Sequence, residues 1–238
     1  MCPTQEPRQR ESGSLPATSI WQSECDALIA GLAHALSNRL STLSAAAQSF
    51  ELGITGGEAQ TAGILTSEVE RLEEILRFLR ELPAAAADAP EPIHVPELLA
   101  VAVALHRHHR DYPAVQCRLD LHPSAEPVMQ PRTALLHALL LMLGAAKKSA
   151  CAGGSGGEIG LSAEGDGATV TLATEAQLLQ GTAPDADDDA LSREMTRLLR
   201  APAASFRVER SEVPGARVRY RLQLPSLGAM RREEATQR

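Results

Sequence analysis

From about Thr18 to Leu52 the chain contains no proline, and Trp21, Cys25, Ile29, Leu32, Leu36, Leu40, Leu43, Ala47 and Phe50 recur three or four residues apart. Only a period near 3.6 gathers such positions on one face, so the spacing predicts a long amphipathic helix. The glycines of "GITGGEAQ" end it, and Leu65, Val69, Leu72, Leu76 and Leu79 then follow at alternating steps of four and three, the seam of a second helix. Glu68, Glu70, Arg71, Glu73, Glu74, Arg77 and Arg80 fill its other faces, as on a solvated helix. Two long helices joined by a short turn make an antiparallel hairpin, which cannot cover both apolar stripes by itself. A homodimer closing a four-helix bundle is the simplest remedy.

The Pro/Ala-rich stretch "LPAAAADAPEP" marks a linker, and beyond it the pattern changes to mixed elements. The spacing predicts a helix over about 95–109, strands near 115–121 and 126–129, and an apolar helix over about 132–150. "EIGLSAE" and "ATVTLAT" alternate around "GDG" as a β-hairpin. The acidic loop "APDADDDA" leads into a short helix, "ALSREMTRLLRA", and the strands "SFRVERSE" and "ARVRYRLQLP" close the chain. The expected organisation is a disordered arm over 1–17, a helical hairpin over 18–82, a linker over 83–93, a second domain over 94–225 and a polar tail over 226–238. The fold class is α+β.

A net charge of −7 with no long basic run excludes a protein built to neutralise phosphate backbones, so nucleic acid is not an expected partner. Cys2, Cys25, Cys117 and Cys151 show no C-x-x-C spacing, which fits neither a zinc site nor a disulfide framework and suits a reducing cytoplasm. The polar N-terminus lacks an apolar signal core, and the most apolar stretch, 133–146, is too short to span a bilayer, so no membrane association is expected.

On a helical wheel His34 falls about 160° from Leu36, which centres the apolar stripe. Its neighbours there are Ala27, Ala30, Gly31, Asn38, Ser41 and Ala45, so little bulk would keep a partner from the ring. An ordinary imidazole, with a pKa near 6.5, is largely neutral at pH 7 and offers a ring-nitrogen lone pair for phosphoryl chemistry. Asn38, one turn on, can hydrogen-bond a phosphoryl oxygen or a water. From these residues alone, a plain surface histidine on an alanine-rich helix is the favoured reading.

"GLAHALSNRLSTL" resembles the H-box of bacterial sensor histidine kinases, in which a phosphorylated histidine is followed by an acid, by Asn or Thr four residues on and by an apolar residue six on. Those positions here are His34, Ala35, Asn38 and Leu40. "VPELLAVAVALH", "PVMQPRTALLHALLLMLGAAKKSA" and "RVERSEVPGARVRYRLQLP" are similar in order and spacing to the kinases' GHKL, or Bergerat-type, ATP-binding domain, an α/β sandwich, so the resemblance covers roughly 20–225. It implies a dimeric four-helix bundle followed by that sandwich.

The departures shape what the resemblance implies. Leu141 and about Ala145 stand where the family places asparagines for Mg²⁺ and ATP phosphates, and neither side chain offers the oxygen a hard cation requires. "TEAQLLQG" replaces the adenine-binding D-x-G-x-G turn, and "GTAPDADDDALSREM" replaces the glycine-rich lid with carboxylates. Ala35 replaces the acid that assists attack on ATP. A retained bundle histidine beside an eroded ATP domain resembles the histidine phosphotransferases of sporulation and cell-cycle phosphorelays, whose histidine is followed by Asn-Lys-Leu in the sporulation type, against Asn38-Arg39-Leu40 here.

That resemblance implies His34 as phospho-acceptor, Asn38 in support, and Ala30, Gly31, Arg39 and Ser41 as the face meeting response-regulator receiver domains. The receiver would supply Mg²⁺, and the chain would hold no cofactor of its own. The alternatives are a non-catalytic pseudokinase scaffold, a receiver phosphatase in which Asn38 orients a water, and an active kinase with a divergent ATP site. The reading expects an outward-pointing imidazole and no polar, metal-competent cleft beside the long apolar helix.

Three other features read as structural. "LHRHHRDY" offers His106, His108 and His109, with Asp111 nearby, and is expected to be a solvated helix terminus with cations at its negative end. "DADDD" lacks the glycine and distal Glu of a calcium loop, and "GGSGG" at 153–157 precedes a strand instead of a helix and reads as a turn.

Overall fold

Ser19 starts the first helix with a capping box: its hydroxyl accepts the Gln22 N–H while the Gln22 side chain accepts the Ser19 N–H. In the computed structural model, which describes residues 19–52, 58–82, 89–112, 115–122, 124–151, 158–177, 187–199, 203–211 and 217–236, this helix, α1, runs over Ile20–Glu51. The second helix, α2 (Glu58–Glu81), returns along it, and Arg39 meets the buried Glu68 at 3.4 Å, with Arg71 on the same carboxylate. The expected arm over 1–17, the glycine turn at 53–57 and "GGSGG" lie outside the described residues.

Beyond the hairpin, β1 (Glu91–Ile93) pairs antiparallel with β3 (Val128–Gln130). A five-stranded sheet has the order β2-β4-β5-β7-β6, built from β2 (Gln116–Leu121), β4 (Glu158–Gly165), β5 (Thr169–Gln177), β6 (Ser205–Arg210) and β7 (Arg217–Pro225). Only β2 and β4 pair in parallel; the remaining pairs are antiparallel. The β4–β5 turn is fixed by Asp166, whose Oδ1 accepts the N–H groups of Ala168 and Thr169, and by Gly167 at φ +83. Period-two alternation sends Ile159, Leu161, Val170, Leu172, Val218, Leu222 and Leu224 inward and leaves Arg219, Arg221 and Glu175 on the other face.

The inward face is covered by α4 (Arg132–Cys151), flanked by α3 (Val95–His106) and α5 (Asp187–Leu199). Leu135, Leu136, Leu139, Leu140 and Leu143 of α4 have no exposed surface, and each contributes about 2 kcal/mol by its removal from water. The core does not stop at the hairpin. Trp21, Leu28 and Leu32 of α1, Ile75 and Phe78 of α2, and Leu82 just beyond it belong to the same buried cluster, with the Trp21 ring stacked on His137 at 3.7 Å.

Four expectations are corrected. The end of the expected linker is strand β1, paired to β3, and the expected polar tail contains α6 (Leu227–Thr236), started by Ser226, whose Oγ accepts the Ala229 N–H. The helix expected over 95–109 ends at His106, because the chain turns there to pack on α1. The length argument at 133–146 also fails: α4 has 20 residues and a mean hydropathy of 1.3, long and apolar enough to cross a membrane. Its apolarity is spent on the core, with 72% of that window buried.

Candidate functional site

His34 and Asn38 lie one turn apart on α1, both exposed, and the Asn38 amide nitrogen is 3.1 Å from His34 Nε2. An amide nitrogen only donates, so this contact is a hydrogen bond when Nε2 accepts, which in the neutral ring puts the proton on Nδ1. The outward orientation read from the wheel is the one observed. Ser41 is exposed as well, its hydroxyl donating back to the Ser37 carbonyl at 3.0 Å. Arg39 instead turns toward α2, where it is engaged with Glu68.

The small residues on the N-terminal side of His34 serve a different purpose from the one expected. Ala27 is buried, Ala30 and Gly31 are half-buried, and the Arg110 N–H donates to the Ala27 carbonyl at 3.4 Å. A Cβ on Gly31 would collide with the His108 carbonyl. Ala27 and Gly31 therefore let the turn after α3 approach the α1 backbone, and that part of the face is already occupied. Ala35 also packs on the core, so the acid found there in the resembled family would press a charge against apolar surface.

The expectation of no polar cleft beside α4 is overturned. A cavity of about 330 Å³ lies between α1, α4 and α5, lined by Glu24, Asp111, Lys148, Asp188 and Arg210 together with Leu141 and Ala145. Its polar groups come from α1 (Glu24), the turn after α3 (Asp111), α4 (Lys148), α5 (Asp188) and β6 (Arg210). The residues do not fit Mg²⁺-nucleotide: Leu141 is buried and carries no oxygen, Ala145 likewise offers none, and Asp188 is held bidentately by Arg210 at 2.8 and 2.9 Å.

The histidines at the end of α3 are corrected too. His106 and His109 are 1% and 3% exposed, not solvated, and Glu24 reaches them from α1. Glu24 Oε1 is 2.9 Å from His106 Nε2, and Oε2 is 3.5 Å from His109 Nε2. Burial pushes the Glu24 carboxyl up, but the two imidazole donors outweigh it and hold the pKa at about 2. Burial lowers the His106 pKa, against the pull of Glu24. Lys147 donates to the His106 carbonyl at 3.1 Å, and burial pushes its pKa down as well. Glu24 was missed in the sequence; its one signal is that Glu24, Ala27, Gly31 and Ala35 fall three or four apart, a second face with a carboxylate at its head.

No protein-family model matches the sequence, and no curated protein matches it. Among solved structures, the chain is similar to the histidine kinase AdeS of Acinetobacter baumannii, at 15% identity and TM-score 0.44 over 82% of this chain and 98% of that one. It is similar to a bacterial phosphotransferase, at 15% identity and TM-score 0.45 over 88% of this chain and 100% of that one. A third is the histidine kinase ThkA in complex with the response regulator protein TrrA, at 14% identity and TM-score 0.45 over 88% of this chain and 65% of that one. Likenesses at this identity with TM-scores below 0.5 place the chain in no family.

Proposed function

We propose that this protein is a cytoplasmic, homodimeric histidine phosphotransferase that moves phosphoryl groups between receiver-domain aspartates without using ATP. The observation that carries the reading is the exposed His34 ring, its Nε2 3.1 Å from the Asn38 amide nitrogen, on a helical hairpin. In the transfer step the Asn38 amide turns away and the Nε2 lone pair attacks the phosphorus of an aspartyl phosphate. The N–P bond forms as the acyl O–P bond breaks, the receiver carboxylate leaves, and the proton on Nδ1 stays in place. The Asn38 amide then donates to a phosphoryl oxygen. A second receiver aspartate reverses the step. Such transfer needs in-line placement and charge stabilisation, and the Mg²⁺ of the receiver would supply the latter.

A dimer would bury a stripe that one chain leaves in water: Ile29, Leu40 and Phe50 of α1 and Ile64, Val69 and Leu76 of α2 are all exposed. With Arg39 and Gly31 engaged internally, the receiver-facing surface shifts to His34, Asn38, Ser41 and the flanking Ala45, on the side of His34 away from the sheet.

A non-catalytic scaffold is the second reading, favoured by the Nε2 lone pair being already occupied by Asn38 and by Ala35 where an acid would assist. The test is incubation with ³²P-labelled phospho-receiver and, separately, with γ-labelled ATP, repeated for His34→Ala and Asn38→Ala. Label on the wild type from the receiver alone, absent in His34→Ala, is the expected result. Receiver dephosphorylation that survives His34→Ala but not Asn38→Ala identifies a phosphatase, label from ATP a kinase, and no change in any arm the scaffold.

A further inference from the structure

Glu24 sits near the start of α1, His106 at the last residue of α3 and His109 in the turn beyond, yet their ligand-type atoms all lie within 4.8 Å of one another. We propose that these three side chains form a binding site for a divalent transition-metal ion of the zinc class, joining the hairpin to the sheet domain. The site is separate from His34 and does not depend on phosphoryl transfer.

Two imidazoles and a carboxylate are the donor set of three-ligand zinc sites, which keep a fourth position for water or another oxygen ligand. An ion about 2.0–2.2 Å from each donor in tetrahedral geometry needs donors roughly 3.3 Å apart. His106 Nε2 lies 2.9 Å from Oε1 and His109 Nε2 3.5 Å from Oε2 of the same carboxylate, and one ligand atom from each residue lies within 4.8 Å of the others, so the donors converge and close in by about an ångström to take an ion. In the metal-free arrangement His106 and His109 stack at 4.9 Å with an angle of 10° between planes, and Tyr112 stacks on His109 at 4.8 Å, so binding one ion through both nitrogens tilts the imidazoles toward each other. Gly144 lets α4 lie against the Glu24 carboxylate, since a Cβ there would be 2.5 Å from Oε2. Glu24 and His109 also line the cavity between α1, α4 and α5, which gives the fourth position room.

The proton balance is specific. Without metal, His109 Nδ1 accepts the Asp111 N–H at 3.1 Å, so the His109 proton is on Nε2 and faces Glu24. Coordination through Nε2 moves that proton to Nδ1 and breaks the Asp111 bond. At His106 the proton moves likewise to Nδ1, which is buried and has no hydrogen-bond partner among the described residues. No net proton is released, and the Asp111 amide becomes a reporter of loading.

The experiment titrates the full-length, metal-stripped protein with Co²⁺ and then displaces it with Zn²⁺. The expected result is one saturable equivalent with visible d–d absorption and no sulfur charge-transfer band, which separates the site from Cys2, Cys25, Cys117 and Cys151. The Asp111 amide resonance shifts in step with loading, and Glu24→Gln and His109→Gln each weaken Co²⁺ tenfold or more. Unchanged affinity in both variants, a cysteine-type spectrum, or an Asp111 amide that does not move at one equivalent overturns the proposal and leaves a hydrogen-bonded clamp. If the variants do not fold, the wild-type spectrum and the Asp111 resonance decide alone.

Discussion

A Cβ placed on Gly31 would stand 1.5 Å from the backbone oxygen of His108. No rotamer change relieves that contact, because the backbone fixes the Cβ and the atom it meets is main chain. Gly31→Ala therefore forces α1 and the turn after α3 apart, although alanine favours the helix itself by about 1 kcal/mol. A net destabilisation of about 2 kcal/mol or more is expected, read by urea unfolding of the full-length protein. A stabilised Gly31→Ala would show that the close approach does not hold the hairpin to the sheet domain.

Acid should weaken the same junction. The Glu24 pKa is about 2 in the folded chain against 4.5 ordinarily, so its contribution is full above pH 4.5 and lost as the pH falls toward 2. The group's side chain is 12% exposed, and the shift is worth on the order of 3 kcal/mol. The lowered His106 pKa acts in the same direction: below pH 6.5 the unfolded chain takes up a proton that the folded chain does not. Unfolding free energy measured from pH 7 to pH 3 should fall throughout, and Glu24→Gln should flatten the part below pH 4.5.

Asn38 acts on the ring and not on the fold. Because both side chains are exposed, Asn38→Ala should change stability by less than about 0.5 kcal/mol. It should also release the Nε2 lone pair, shifting the His34 tautomer population seen by ¹⁵N NMR away from the Nδ1–H form. An unchanged tautomer ratio would remove the positioning role assigned to Asn38.

The exposed stripe on the hairpin predicts self-association. Leu40 and Leu76 are 51% and 46% exposed, far more than a stable helix face leaves uncovered without a partner. The double substitution Leu40→Asp, Leu76→Asp should convert a dimer to a monomer in sedimentation velocity without loss of helical signal. A wild type that sediments as a monomer at tens of micromolar would set the dimer aside.

The helical hairpin and the strands β4, β5 and β7 were legible because their periods are strong: steps of three and four over Trp21–Phe50, and alternation along each strand. The outward His34 and its neighbour Asn38 were legible for the same reason. The junction was not. Alanine and glycine carry little hydrophobic signal, so Ala27, Gly31 and Ala35 read as an open face when they mark a close helix–turn contact. Glu24 and His106 are 82 residues apart, and no local pattern links a carboxylate on one helix to an imidazole ending another. A three-residue strand such as β1 leaves too few alternations to register, and α6 has a charged face that resembles a tail.

The 32-residue α1 is embedded in the sheet domain's core at Trp21, Leu28 and Leu32, while the rest of its length carries the hairpin. A straight helix of that length is about 48 Å of stiff rod. With α2 anchored beside it through Ile75, Phe78 and Leu82, the hairpin is a cantilever clamped at its base by two helices, not a flag on a flexible tether. A load applied near Phe50 is delivered as torque to α4 and the strands beneath it.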